Sequence, residues 1–302
     1  RAIELFSKNG FENTKLSGEA TPEGDVAWFK ISPDGRFTVF VGDLRTNGKY
    51  ELFSVPTIGG QRQRISSSLP ETAVLVNFYI SPDSQWVVYI VGSGGINPDQ
   101  LFSVPIGGGT PIPLFQDVPG NNYLDAVESS ADSSTVVFHE SFPDTNQVVL
   151  RSVAIDGGTP NIIAAPEEWC FITSKITHDS TKVIYNISEA GCDDNGLYQS
   201  DISGTGTITL DPNYVIRFHI SPQDDFVIFT QGTPAKLYSI SVGGGDKETL
   251  NNPLVPGGMV YPDFKITPDN QYVVYRAEET IAGMDLLYRA SLDGSSPRIN
   301  LT

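Results

Sequence analysis

A ten-residue phrase, written three times with little change, fixes most of what this chain can fold into. It reads ISPDGRFTVF at 31–40, ISPDSQWVVY at 80–89 and ITPDNQYVVY at 266–275. Worn copies stand between them: SSADSSTVVF at 129–138, ITHDSTKVIY at 176–185 and ISPQDDFVIF at 220–229. The leading residues Ile31, Ile80, Ser129, Ile176, Ile220 and Ile266 are 44 to 49 residues apart. A second phrase follows each first one, beginning ELFSV at Glu51, QLFSV at Gln100, VLRSV at Val149, GLYQS at Gly196, KLYSI at Lys236 and LLYRA at Leu286. Self-similarity at such a period marks a chain built from one supersecondary unit stacked on copies of itself.

Each unit parses into four short strands. Strand A runs into the leading Ile, as in AWFKI. The SPDG that follows is a tight turn, in which Pro presets φ, Asp bonds the local backbone and Gly or Asn accepts a positive φ. Strand B, RFTVFV in the first unit, is apolar at successive positions, as in a strand covered on both sides. Strand C is ELFSV, a Gly-rich hairpin turn follows, and strand D is a short apolar tail. On this reading Asp34, Asp83, Asp132, Asp179 and Asp269 are structural turn residues. The fifth unit supports this, since it has Gln223 in that slot and keeps the rest. The sialidase Asp-box, S-x-D-x-G-x-x-W, has different spacing, because here Gly35 follows Asp34 directly.

The combined phrase, xxISPDGxxVVF followed by ELFSVPIGGG, resembles the TolB-like, WD-repeat-like β-propeller family over nearly the whole chain. The resemblance implies an all-β, six-bladed β-propeller of four-stranded antiparallel blades, filling 1–302 as a single domain with strand A innermost. Members include periplasmic interaction modules, the gating propellers of prolyl-oligopeptidase-type enzymes and a few lyases, so the fold does not select a function. One piece is surplus. Residues 1–18, with IELFSKNGFENTKLS at 3–17, match a C–D half without an A–B half. The expectation is that this hairpin packs on the last blade, 260–302, and helps close the ring; the alternative is the stub of an earlier repeat in a longer parent. The chain opens on Arg1 and reads as a processed or excised piece.

The formal net charge of −17, with 19 basic against 36 acidic residues, argues against nucleic acid, whose phosphates need clustered Lys and Arg. Apolar runs are strand-sized, so no membrane insertion is expected. Sequence signatures of a serine-hydrolase elbow, a zinc protease, a P-loop or a dinucleotide fold do not occur. The three histidines, His139, His178 and His219, fall in three different contexts, and no catalytic residues, metal or cofactor are expected. CDDNG at 192–196 has acidic oxygens but lacks the remaining positions of a calcium loop.

Cys170 opens strand A of the fourth unit and Cys192 follows its strand B. An A–B hairpin returns to its starting end, so a bridge is geometrically possible and would add about 3 kcal/mol by loop closure. Two free buried thiols are the alternative. A bridge implies an extracytoplasmic location, whether periplasm, cell surface or secreted.

The residue before each leading position is Lys30, Tyr79, Glu128, Lys175, His219 or Lys265, and two residues earlier stand Trp28, Asn77, Ala126, Thr173, Arg217 and Asp263. Alternation puts both sets on one strand face. The family's innermost strand A would turn them to the axis, as a polar, partly basic ring that takes a small anionic ligand or merely fills a wet channel. Loops at 44–49, 92–100, 115–124, 164–170 and 251–261 share one end of the units and are expected to meet a protein partner. The expected function is a non-enzymatic extracytoplasmic binding module, part of a longer multidomain protein. The alternatives are a central-channel lyase or hydrolase, or the gating propeller of a prolyl-oligopeptidase-like hydrolase.

Overall fold

The computed structural model describes residues 4–9, 12–19, 23–67, 73–92, 99–116, 122–145, 147–165, 170–188, 195–281 and 283–302. No helix occurs among them, and all regular structure is β. The strands form six four-stranded antiparallel sheets and one two-stranded sheet. Chain order and sheet order coincide in every four-stranded sheet, so each repeat is one sheet with strands in the order A-B-C-D.

Strand A spans Val26–Ile31, Val74–Ile80, Tyr123–Ser129, Phe171–Ile176, Val215–Ile220 and Lys265–Ile266 in the six sheets. Strand B spans Phe37–Gly42, Trp86–Gly92, Thr135–Phe142, Lys182–Ser188, Phe226–Gln231 and Tyr272–Ala277. The surplus N-terminal piece is a hairpin of β1 (Phe6–Asn9) and β2 (Glu12–Lys15). The chain divides into two compact units, 1–144 with 150–162, and 145–149 with 163–302.

Strand B is the core strand. Val39, Phe40, Val41, Val87, Val88, Tyr89, Val227, Ile228 and Phe229 are fully buried, as both faces of these strands are covered. The last sheet differs: burial alternates along Tyr272–Ala277, so one face of that strand is closed and the other is open. Across the B–C register, aromatic rings stack in pairs: Phe40 on Phe53, Tyr89 on Phe102, Tyr185 on Tyr198, Phe229 on Tyr238 and Tyr275 on Tyr288, with centroids 5.3–5.8 Å apart. Each pair adds about 1 kcal/mol beyond its area. The third sheet has Arg151 in place of the second ring. Its guanidinium lies over Phe115 and bonds the fully buried Glu140 at 2.6 Å.

The A–B turn repeats atom for atom. The hydroxyl of Ser32, Ser81, Ser130, Thr177 or Thr267 donates to Asp34, Asp83, Asp132, Asp179 or Asp269 at 2.5–2.6 Å. The same Asp oxygen accepts the backbone N–H two residues on. The next residue has positive φ in all six turns, yet only Gly35 is glycine; Ser84, Ser133, Ser180, Asp224 and Asn270 hold the others. Their side chains have a use that sequence reading missed. Within the first unit, Ser84 Oγ accepts from Asp34 N at 3.1 Å, and Ser133 Oγ from Asp83 N at 3.0 Å. Within the second, Asp224 caps the amides of His178 and Asp179, and Asn270 caps Gln223. A left-handed turn residue thus clamps the turn of the preceding sheet.

The N-terminal hairpin packs on the first sheet of its own unit. Leu5 and Leu16 share a core with Val26, Phe40, Phe53 and Val55 of the first sheet, and Arg62 donates to the Ser17 carbonyl. Leu5 and Leu16 stand to the first sheet as Leu52 and Ile65 stand to the second. Of the cysteines, Cys170 is buried and not free; Cys192 lies outside the described residues.

Candidate functional site

Strand A presents its residues alternately. The apolar set packs beneath the preceding sheet: Phe78, Val127, Phe218 and Phe264 are each under 9% exposed. The polar set turns the other way. A bulge in four of the six A–B pairings (sheets one, two, three and five) shifts the register just before these residues.

In the first unit the polar face is internally satisfied. The Lys30 ammonium stands 5.0 Å from the Phe78 ring and 4.7 Å from the Tyr79 ring, and donates to the Phe78 carbonyl. Burial pulls its pKa below the ordinary lysine value. Asn77 Nδ2 donates to Tyr79 Oη at 3.1 Å, and burial raises the tyrosine. Glu128 is half-buried. Nearby, Asp125 is raised by burial and lies 3.5 Å from His139 Nδ1, while burial holds His139 down to about 4. Trp28 is exposed.

The second unit uses the same positions differently. Lys175, Arg217 and Lys265 are exposed and His219 is half-buried. Arg217 and Lys265 make no ion pair with any described residue. The His219 ring meets Phe264 edge-on at 5.1 Å, and its Nε2 is buried with no hydrogen-bond partner among the described residues. Burial lowers its pKa first, and Arg217, Lys265 and Lys175 lower it further. His219 and Lys265 line a cavity with His178, Pro222 and Phe264. His178 Nδ1 is 2.8 Å from Asp224 Oδ1. So two of the three histidines, read from sequence as unrelated, reach one cavity. Their convergence was invisible because His178 is a turn residue of one repeat and His219 a strand residue of the next.

Asp263 does not join this group. The strand A of the last sheet is only Lys265–Ile266, and Asp263 pairs with Arg276 at 3.0 Å, which also bonds Asp285 at 2.6 Å. The loops expected to meet a partner are described at 44–49 and 251–261; much of 92–100, 115–124 and 164–170 lies outside the described residues. Among the described residues, no group of three or more His, Cys, Asp or Glu is arranged to hold a metal ion.

Chemically, the second unit's face is a concentration of positive charge around an imidazole whose Nε2 has no hydrogen-bond partner among the described residues, beside Pro222 and Phe264. Such a surface focuses anions, and low-dielectric walls strengthen the field.

No family model matches the chain, and no curated protein matches it in sequence. Solved structures do match. A putative dipeptidyl aminopeptidase IV from Bacteroides ovatus is 11% identical with a TM-score of 0.61; all of this chain and 51% of that one are covered. Prolyl oligopeptidase B from Galerina marginata is 13% identical with a TM-score of 0.55, covering 91% of this chain and 43% of that one. An oligogalacturonate lyase in complex with manganese is 12% identical with a TM-score of 0.52, covering 99% and 84%. The chain spans about half the length of the two peptidases or less. At this identity the likeness is one of fold, and these neighbours are propeller-domain proteins: the all-β chain of four-stranded antiparallel sheets fits a β-propeller.

Proposed function

We propose that this chain is an extracytoplasmic, non-enzymatic binding propeller with six complete TolB-like blades, whose strand A face in the 163–302 unit takes a small carboxylate-bearing ligand. The observation that carries the reading is the cluster of Lys175, Arg217 and Lys265 around His219, in a chain of net charge −17. Lysine and arginine are scarce here, and gathering them without acidic partners for Arg217 and Lys265 raises the free energy of the unliganded face. A bound carboxylate would offset that repulsion and accept a hydrogen bond from the imidazole once it is protonated. The proposed extracytoplasmic location rests on a Cys170–Cys192 bridge, and a protein partner would meet the loop-bearing end of the sheets.

The test is titration with a panel of small carboxylates, including uronates, while following the His219 ring by NMR. Binding should raise the His219 pKa, and Lys175→Ala/Arg217→Ala/Lys265→Ala should weaken it at least tenfold. An unmoved His219 across the panel, or unchanged affinity in the triple variant, sinks the proposal.

The second reading is a lyase. It is favoured by the 84% coverage of the oligogalacturonate lyase, since an oligogalacturonate carries a carboxylate on every sugar. Chain cleavage of such a substrate by the purified protein, lost in the triple variant, would replace binding by catalysis at the same face.

A further inference from the structure

Two departures from the repeat meet in one pair, His178 with Asp224, both within the second unit. His178 stands where the other repeats have Pro33, Pro82, Ala131, Pro222 and Pro268. Asp224 stands where they have Gly35, Ser84, Ser133, Ser180 and Asn270. The turn clamp needs neither change. Ser84, Ser133 and Asn270 each cap the preceding turn without a carboxylate. Asp224 makes that cap with one oxygen, on Asp179 N at 2.9 Å. Its other oxygen takes His178 twice, at the backbone N at 3.0 Å and at ring Nδ1 at 2.8 Å.

This contact sets the chemistry of the ring. A carboxylate can only accept, so Nδ1 carries the proton and the neutral imidazole offers its Nε2 lone pair. That Nε2 makes no hydrogen bond with any described residue. His178 borders the cavity of about 230 Å³ that His219 and Lys265 also line, walled by Ile220, Pro222, Phe264 and Ile266. Drug-sized ligands fill pockets of roughly 300–1,000 Å³, so this one suits a molecule of a few carbons.

The Lys265 ammonium and a protonated His219 satisfy a carboxylate. They leave His178 Nε2 without a use, because a carboxylate has no hydrogen to give it. The lone pair calls for a donor on the same ligand. An ammonium is disfavoured there, since Arg217, Lys265 and Lys175 already act on this site as positive charges. A hydroxyl is the neutral donor that remains within so small a volume.

We infer that the cavity takes a small hydroxycarboxylate, with its carboxylate on Lys265 and His219 and its hydroxyl donating to His178 Nε2. His178 sets the specificity, and Asp224 positions it by fixing the tautomer. This rests on the reading of the face as a carboxylate site and supplies the other half of the ligand.

The probes are matched pairs titrated into the protein by calorimetry at pH 8: glycolate with acetate, lactate with propionate, and 3-hydroxybutyrate with butyrate. In at least one pair the hydroxy acid should bind about tenfold tighter than its partner, the effect of one hydrogen bond to an otherwise unpaired acceptor. His178→Pro restores the residue usual at this turn; it should bring that ratio to about one and leave the affinity of the deoxy acid unchanged. Asp224→Ser keeps a cap of the Ser84 kind and releases the ring. It should reduce the ratio about threefold, and nitrogen NMR of His178 should lose the fixed Nδ1–H tautomer. Carboxylates that bind with no preference in any pair overturn the hydroxyl assignment and leave the carboxylate reading standing. A deoxy acid weakened by His178→Pro as much as the hydroxy acid overturns the specificity role. If no carboxylate binds and His219 does not respond, both readings fall together.

Discussion

The strand A faces of the two units begin from the same repeat position and reach opposite ends. In the first unit Lys30 is spent on its neighbours: two aromatic rings and a carbonyl take its charge, and Asp125 acts on the same Tyr79. In the second, Lys175, Arg217 and Lys265 stand exposed around an imidazole with an unbonded nitrogen. On the first face the cation is engaged by its neighbours; on the second, Arg217 and Lys265 make no ion pair with any described residue. The lesson is that repeat register locates a residue, while its cross-sheet neighbours decide its chemistry.

The widest test of that contrast asks whether the units differ anywhere but on this face. Val88 and Ile228 are equivalent, fully buried strand B residues, one in each unit. Val88→Asp and Ile228→Asp should each cost more than about 4 kcal/mol by burying an unpaired charge, and leave no folded protein in soluble expression. A soluble Ile228→Asp with unchanged melting would mean that the second unit is built on another principle.

A smaller effect separates the imidazoles of His139 and His219. His139 titrates at about 4, well below the ordinary 6.5. The unfolded chain therefore takes the proton first, so the stability held by the neutral ring is complete above about pH 6.5 and is lost as pH falls toward 4. About 2 kcal/mol should disappear over that window, partly opposed by Asp125, whose raised pKa acts the other way. His139→Gln should flatten the fall in chemical-denaturation midpoints between pH 6.5 and 4. Anion binding should move His219 and leave His139 where it is.

Much of this was legible in the repeats. The four strands per unit, the turn role of Asp34 and its equivalents, and the burial of strand B follow from a phrase repeated often enough to align with itself. What stayed hidden depended on contacts between repeats. The packing of β1–β2 on the first sheet depends on Leu5 and Leu16 meeting Val26 and Phe40, a contact the alignment does not show. The cavity at His178 and His219 joins a turn to the following strand, while Asp263, in register with Trp28 and Asn77, is drawn away by Arg276.

Lys30 gives the next smaller test. Lys30→Met keeps the contact with Phe78 and Tyr79 but removes the cation, and about 1 kcal/mol of stability should go with it, with no change in anion affinity. A loss of affinity would erase the division between the faces. Smallest of all is the turn clamp, present in both units. Ser84→Gly and Asn270→Gly each remove an inter-sheet hydrogen bond while easing a left-handed backbone, so each should shift the melting free energy by about 0.5 kcal/mol or less. Unequal shifts would show that the clamps are not equivalent.

Those clamps also point one way. Ser84 serves the turn before it, as do Ser133, Asp224 and Asn270. A sheet completes its own ladder and its own Ser–Asp turn bonds; one further bond arrives with the sheet that follows. On a ribosome, where the amino end emerges first, each of these four repeats would therefore latch the one already made. The molecule carries a direction of assembly in the side chain of one turn residue, a kind of ratchet with four teeth.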